Sequence, residues 1–126
     1  MVKRQKMGTK QKKYGDIISS NKYFIKCLLD LGINNNYTGY FYLIFILDLL
    51  INEELVVKSF NKEIYPLVAV EFNKTTCTIE RNIRNLIDKT WNNVNKKLKD
   101  FWRAETKPTC QKFIYMIKNY ILMQIT

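Results

Sequence analysis

The chain has 126 residues, with 21 Lys and Arg against 11 Asp and Glu, a formal charge of +10. That length supports one hydrophobic core, and the charge favours a polyanionic partner through steering and counterion release. Histidine is absent, which removes the commonest general base and zinc ligand. Cys27, Cys77 and Cys110 contain no C-x-x-C pair, which argues against a disulfide framework or a zinc site.

Residues 1–15 form a basic arm with Lys3, Arg4, Lys6, Lys10, Lys12 and Lys13 and no acid. An arm of this kind solubilises the chain, lies on phosphates or enters a minor groove. No apolar stretch with a small-residue cleavage site follows it, so it is not a signal peptide. Residues 16–126 read as one helical domain. A first helix is predicted from Asp16 or Ile17 to Leu31, with Ile17, Phe24, Cys27, Leu28 and Leu31 as its apolar stripe and Gly32 as its stop. Asn34-Asn35-Asn36 is a turn.

A second helix, Tyr37 to Asn52, contains the run Tyr40 to Leu47 and is apolar nearly all round, as a buried helix is. The run is too short for a membrane span and is followed by Asp48. If Ile44 and Phe45 are exposed, they mark a protein–protein surface. Residues 53–61 connect onward by a short extended Leu55-Val56-Val57.

From Tyr65 to Trp91 the pattern is a helix, a tight turn and a longer helix. Pro66 fits a first helical turn. Leu67, Val68 and Phe72 supply a buried stripe, and Ala69 is small where the two helices would press together. Asn73 can take the left-handed conformation that ends a helix, and Thr75 can cap the next one. In the second helix Ile79, Ile83, Leu86, Ile87 and Val94 recur at helical spacing. The opposite face carries Thr76, Cys77, Glu80, Arg81, Arg84 and Asn85. This is the layout of a helix-turn-helix whose second helix enters the DNA major groove. Arg can bond guanine in a bidentate fork, Glu can accept from cytosine, and Asn can pair with adenine. An ordinary helix pair with a solvated basic face is the plainer alternative.

Lysine is a poor witness here, because many Asn, Ile and Tyr accompany it, as AT-rich codon usage would produce. Arginine is scarce: Arg4, Arg81, Arg84 and Arg103 are the only four, and two lie on the proposed reading face. That placement suggests a need for the planar guanidinium fork. Cys77 is a small residue on the same face. Lys96, Lys97 and Lys99 follow the second helix. Phe101 and Trp102 look like the anchor of a short helix. Thr109 begins the last helix, with Phe113, Met116, Ile117, Tyr120 and Ile121 facing inward. No Ser–His, phosphate-loop or paired-carboxylate arrangement appears, and the adjacent Glu53 and Glu54 diverge on a helix. No enzyme activity, cofactor or metal is expected.

Three blocks in order resemble the C-terminal effector domain of the stage-zero sporulation response regulator, a transcription factor. The central block is Tyr65-Pro66, Glu71-Phe72-Asn73, Ile79-Glu80-Arg81, Ile83-Arg84 and Trp91. Gly32-Ile33 with Thr38-Gly39-Tyr40-Phe41-Tyr42-Leu43 is similar to the family's Gly-Val and Lys-Gly-Tyr-Leu-Tyr-Leu. Lys107-Pro108-Thr109 with Phe113-Ile114 and Met116 is similar to its Lys-Pro-Thr and Phe-Ile-Ala-Met. Together they spread over roughly residues 17–125.

The resemblance implies an all-α, compact bundle of about six helices containing a helix-turn-helix that reads a short DNA box with G·C pairs. Glu80, Arg81 and Arg84 match the family's base-reading positions, and Asn85 stands where the family usually has His. Thr76-Cys77-Thr78 replaces Ala-Ser-Arg, so one basic contact at Thr78 is lost and a related rather than identical box is implied. Lys74, Thr75, Thr76, Cys77 and Thr78 would meet the DNA backbone at the helix N-terminus. Lys96 and Lys97, and Lys3, Arg4 and Lys6 of the arm, would add phosphate contacts. The family's regulators begin with a receiver domain, for which the sixteen or so residues before the first helix leave no room.

The expectation is a sequence-specific double-stranded DNA-binding protein, cytoplasmic and nucleoid-associated, acting in transcription. By resemblance, Tyr120 to Ile125 would help two copies sit side by side as a homodimer or tandem pair, although packing on its own core accounts equally for that segment. Two alternatives stand beside it. One is a plasmid or phage accessory factor at a transfer, replication or partition site. The other is a protein-interaction modulator that pairs with RNA polymerase or a full-length regulator.

Overall fold

A computed structural model describes residues 22–33, 35–93, 100 and 106–125. Among them are five α-helices: α1 (Lys22–Asp30), α2 (Gly39–Leu47), α3 (Tyr65–Phe72), α4 (Thr76–Asn93) and α5 (Cys110–Ile125). No strand occurs among these residues, so the all-α expectation holds for them, while the expected count of about six helices is not confirmed. The start of the first helix at Asp16 or Ile17, the basic arm, Val94, Lys96, Lys97, and the short helix expected at Phe101 and Trp102 lie outside the described residues.

α1 buries Phe24, Cys27 and Leu28, the stripe expected from its spacing. It ends in a Schellman turn. Gly32 takes φ 81°, its N–H reaches the Leu29 carbonyl at 3.0 Å, and the Ile33 N–H reaches Leu28 at 2.9 Å. Two orphan carbonyls are thereby satisfied, and Ile33 folds back onto the core.

α2 is the centre of the molecule. It touches α1, α3, α4 and α5, and every residue from Tyr42 to Leu47 is at most 3% exposed. Ile44 and Phe45 are each 1% exposed, so the protein–protein surface considered at these positions does not exist. Burying a large apolar side chain stabilises by about 1.5–3 kcal/mol, and a helix enclosed on all sides collects that gain at nearly every position. From Asp48 to Asn52 the helix widens, with the Glu53 N–H bonding the Asp48 carbonyl at 3.2 Å. The Asp48 carboxylate is buried and accepts a 2.7 Å bond from the Asn52 amide. Leu55-Val56-Val57 belongs to no strand, since none occurs among the described residues, and Val56 points to solvent.

α3 is entered through a second wide turn, Phe60–Ile64. Glu63 caps this turn, its carboxylate accepting from the Lys58 and Ser59 N–H groups at 2.9 and 3.0 Å. Those bonds hold its pKa below the usual carboxylate value. Pro66 lies in the first turn of α3, as expected, where its missing donor is not needed. Val68 and Ala69 are buried, and Leu67 and Phe72 are half-buried against the core. The Phe72 ring meets Tyr42 and Phe45 edge-on at 4.8 and 5.6 Å.

A close backbone approach joins α2 to α4 at Gly39. A Cβ built on Gly39 would stand 2.5 Å from the Asn82 carbonyl oxygen and 3.2 Å from Ile83 Cα. Helix propensity favours alanine by up to about 1 kcal/mol, whereas overpacking costs about 1–3 kcal/mol. The obstacle is backbone and cannot rotate away, so the steric cost wins. Gly39→Ala is expected to lower unfolding free energy by about 1–2 kcal/mol in urea titration; a neutral or stabilising result would show that the two helices slide apart freely.

Glu63 supplies a second expectation. Its pKa is lower folded than unfolded, so its contribution is present above the unfolded pKa and fades as pH falls through the folded one. The Tm deficit of Glu63→Gln should therefore shrink on acidification through the carboxylate range, as thermal melts across pH would show.

Candidate nucleic-acid interface

α3 and α4 are joined by the turn Asn73-Lys74-Thr75. Asn73 takes φ 55° and ψ 51°, the left-handed conformation expected for it. The Lys74 N–H bonds the Ala69 carbonyl at 2.9 Å and closes the end of α3. The Thr75 hydroxyl accepts from the Thr78 N–H at 3.1 Å, which is the expected N-cap of α4. Thr75 Oγ1 also donates to Thr78 Oγ1 at 2.9 Å, so the Thr78 side chain is tied into the cap.

α4 is strongly two-faced. Ile79, Ile83, Leu86 and Ile87 are each at most 2% exposed. At 100° per residue, Arg81 falls opposite that buried set, flanked by Cys77 and Arg84 on one side and Asn85 on the other. Thr76, Cys77, Arg81, Arg84 and Asn85 are exposed, as are Lys74 and Thr75 in the turn, while Thr78 and Glu80 are half-buried. The fold thus gathers these sequence-selected residues on one surface, and the backbone order from Asn73 to Thr78 presents the start of α4 outward. Lys96, Lys97, Lys3, Arg4 and Lys6 lie outside the described residues.

Glu80 and Arg84 are not independent. The Arg84 guanidinium donates to the Glu80 carboxylate at 2.8 Å, one helical turn apart. Their side chains are 55% and 38% exposed for Arg84 and Glu80 respectively, so the pair contributes only about 0.3–0.5 kcal/mol to stability. Its effect is directional. Arginine has five N–H donors, and one bond to Glu80 leaves others available to an acceptor in front of the helix. A bidentate base contact discriminates by about 1–3 kcal/mol, which exceeds what the ion pair would oppose. Arg81 takes part in neither the Glu80–Arg84 nor the Lys107–Asp88 ion pair.

Beside Glu80 and Arg84 the surface drops into a cleft of about 610 Å³ between α4 and the start of α5. Thr109 caps α5, its hydroxyl accepting from the Lys112 N–H at 3.3 Å. Lys107 crosses the cleft to pair with Asp88 of α4. Tyr65, Cys110 and Asp88 line the same cleft. Burial raises the Tyr65 hydroxyl and the Cys110 thiol above their ordinary pKa values, so both stay protonated at neutral pH. Residue spacing singles out none of these for a role beside Arg81 and Arg84. The Glu80, Arg84, Asp88 series at four-residue intervals was a legible clue. Lys107 and Cys110 carry no such signal, because only the chain's return places them there.

A two-faced helix presented by a capped turn, with arginines outward and a buried back, has the layout that helical DNA-binding domains use. The chain belongs to the family described as sporulation initiation factor Spo0A C terminal, whose model matches residues 24–121. The match runs from within α1 to within α5 and so includes α2, α3 and α4 whole. This family comprises DNA-binding effector domains that act in transcription regulation during sporulation; it is not a family of enzymes. Among the described residues no helix is long and apolar enough to cross a membrane.

Because the Glu80–Arg84 pair is exposed, Glu80→Gln should change unfolding free energy by less than about 0.5 kcal/mol. A loss well above 1 kcal/mol in denaturant titration would make the pair a structural strut rather than an orienting contact.

Proposed function

We propose that α3, the Asn73–Thr75 turn and α4 act as a helix-turn-helix, and that α4 reads a short double-stranded DNA box in the major groove. Arg81 and Arg84 contact guanines, Asn85 contacts an adjacent base, and Glu80 orients Arg84. The observation that carries this reading is the exposure of Arg81, Arg84 and Asn85 on a helix whose opposite face is sealed in the core. Lys74, Thr75, Thr76, Cys77 and Thr78 meet the phosphate backbone near the start of α4. Lys96, Lys97 and the arm residues Lys3, Arg4 and Lys6 add phosphate contacts that raise affinity without sequence preference.

In this reading residues 1–15 are an arm and residues 16–126 the DNA-binding domain of a cytoplasmic, nucleoid-associated transcriptional regulator. Two copies sit on neighbouring boxes. Support for pairing comes from α5, where Tyr120 and Ile121 pack inward but Met123 is 58% exposed near the helix end. RNA polymerase or a full-length regulator is the protein partner that a transcriptional role calls for.

Replacing Arg81 by alanine should weaken binding to a duplex selected from a random pool by about 5- to 150-fold, the equivalent of one bidentate base contact. Binding to scrambled duplex and the slope of affinity against salt should hardly change. Gel shifts across a salt series measure both quantities. Equal loss on selected and scrambled DNA would make Arg81 a phosphate contact and remove the base-reading assignment.

A further inference from the structure

Among the residues lining the cleft beside α4 are four of alternating charge: Glu80, Arg84 and Asp88, at successive turns of that helix, and Lys107 from the segment before α5. They form two pairs. The Arg84 guanidinium donates to Glu80 at 2.8 Å, and Lys107 pairs with Asp88. Arg84 stands four residues from each carboxylate, yet among the described residues its ion pair is with Glu80 and not with Asp88. Lys107 is held in place by its surroundings. Pro108 favours extended backbone at the residue before it, and Thr109 then caps α5. The Gln111 side chain accepts from the Phe60 N–H at 3.3 Å and donates to the Lys58 carbonyl at 3.4 Å, so the start of α5 is fastened to the turn before α3.

Spacing alone gives Arg84 a choice between two carboxylates, because residues four apart on a helix are neighbours in both directions. Side chains on a helix lean toward its N-terminus, so an unpaired Asp88 would lie over the turn that carries Arg84. Exposed pairs of this kind are weak and exchange readily. The Lys107 ammonium occupies the carboxylate that would compete with Glu80. We infer that Lys107 is a positioning residue for Arg84: by holding Asp88 it leaves the guanidinium on the Glu80 side, toward the start of α4. Without Lys107 the guanidinium divides its time between two turns, and its reach toward a base edge falls. The device needs no contact between Lys107 and DNA. This inference rests on the proposal that Arg84 reads a base.

The test measures binding of the full chain to its selected duplex in competition with duplexes in which single base pairs are changed. The base pair of interest is the one at which Arg84→Ala relaxes preference. Lys107→Met keeps the side-chain stem and removes the charge. It should lower preference at that base pair by about 2-fold, the equivalent of one exposed pair at four-residue spacing. The lost charge weakens binding to all duplexes alike and cancels in the ratio. Asp88→Asn should keep the wild-type preference, and adding it to Lys107→Met should restore that preference, because no competing carboxylate is left. A merely structural tether between α4 and α5 would make the two single variants equally harmful and the double no better. A phosphate contact from Lys107 would lower affinity without changing the ratio. Either result overturns the inference. Lys107→Gln repeats the test if Lys107→Met folds poorly. Full preference at every base pair in Arg84→Ala removes the base-reading assignment, and the inference with it. Relaxed preference in Arg84→Ala beside wild-type preference in Lys107→Met overturns the positioning role alone.

Discussion

The contact of Gly39 with the Asn82 carbonyl governs how α4 is carried. It brings the backbone of α2 against the middle of α4, where any side chain at position 39 would intrude. Because α2 is enclosed on all sides, it cannot retreat to make room. The depth of α4 is therefore set by backbone contact with a rigid central helix. A side-chain contact could be repacked; this one cannot. The outward reach of Arg81 and Arg84 follows from that depth.

Around this mount the ends of the helices are fixed by local chemistry. Gly32 closes α1, Asn73 closes α3, and Thr75 opens α4. Each device satisfies backbone groups that a helix end leaves orphaned. The turn between α3 and α4 is thus specified twice, by the left-handed asparagine and by the threonine cap, and the angle at which α4 leaves α3 is well determined. Electrostatics then acts within a fixed frame. The +10 charge draws the chain to polyanions in general. The exposed Glu80–Arg84 pair adds little energy but a definite direction, which is what the proposed base contact would require.

Much of the fold was legible from residue order. The stripe of α1, the two-faced pattern of α4, the roles of Asn73 and Thr75, and the inward face of α5 all depend on neighbours within two helical turns. Pro66 was legible as well: it lies in the first turn of α3, while the wide turn Phe60–Ile64 that leads into it carried no signal in the sequence. Ile44 and Phe45 could be placed only by a burial measurement, since an all-round apolar helix has no phase to read.

The sequence by itself determined which residues face outward on α4, because amphipathic spacing and capping are local properties. It also placed the scarce arginines there. Only the tertiary structure decided that Arg84 is held by Glu80 above a cleft walled by Tyr65 and Cys110, and that Gly39 sets the depth of the helix. Those contacts join residues far apart in the chain. Their partners are chosen by the packing of whole helices, which no local pattern encodes.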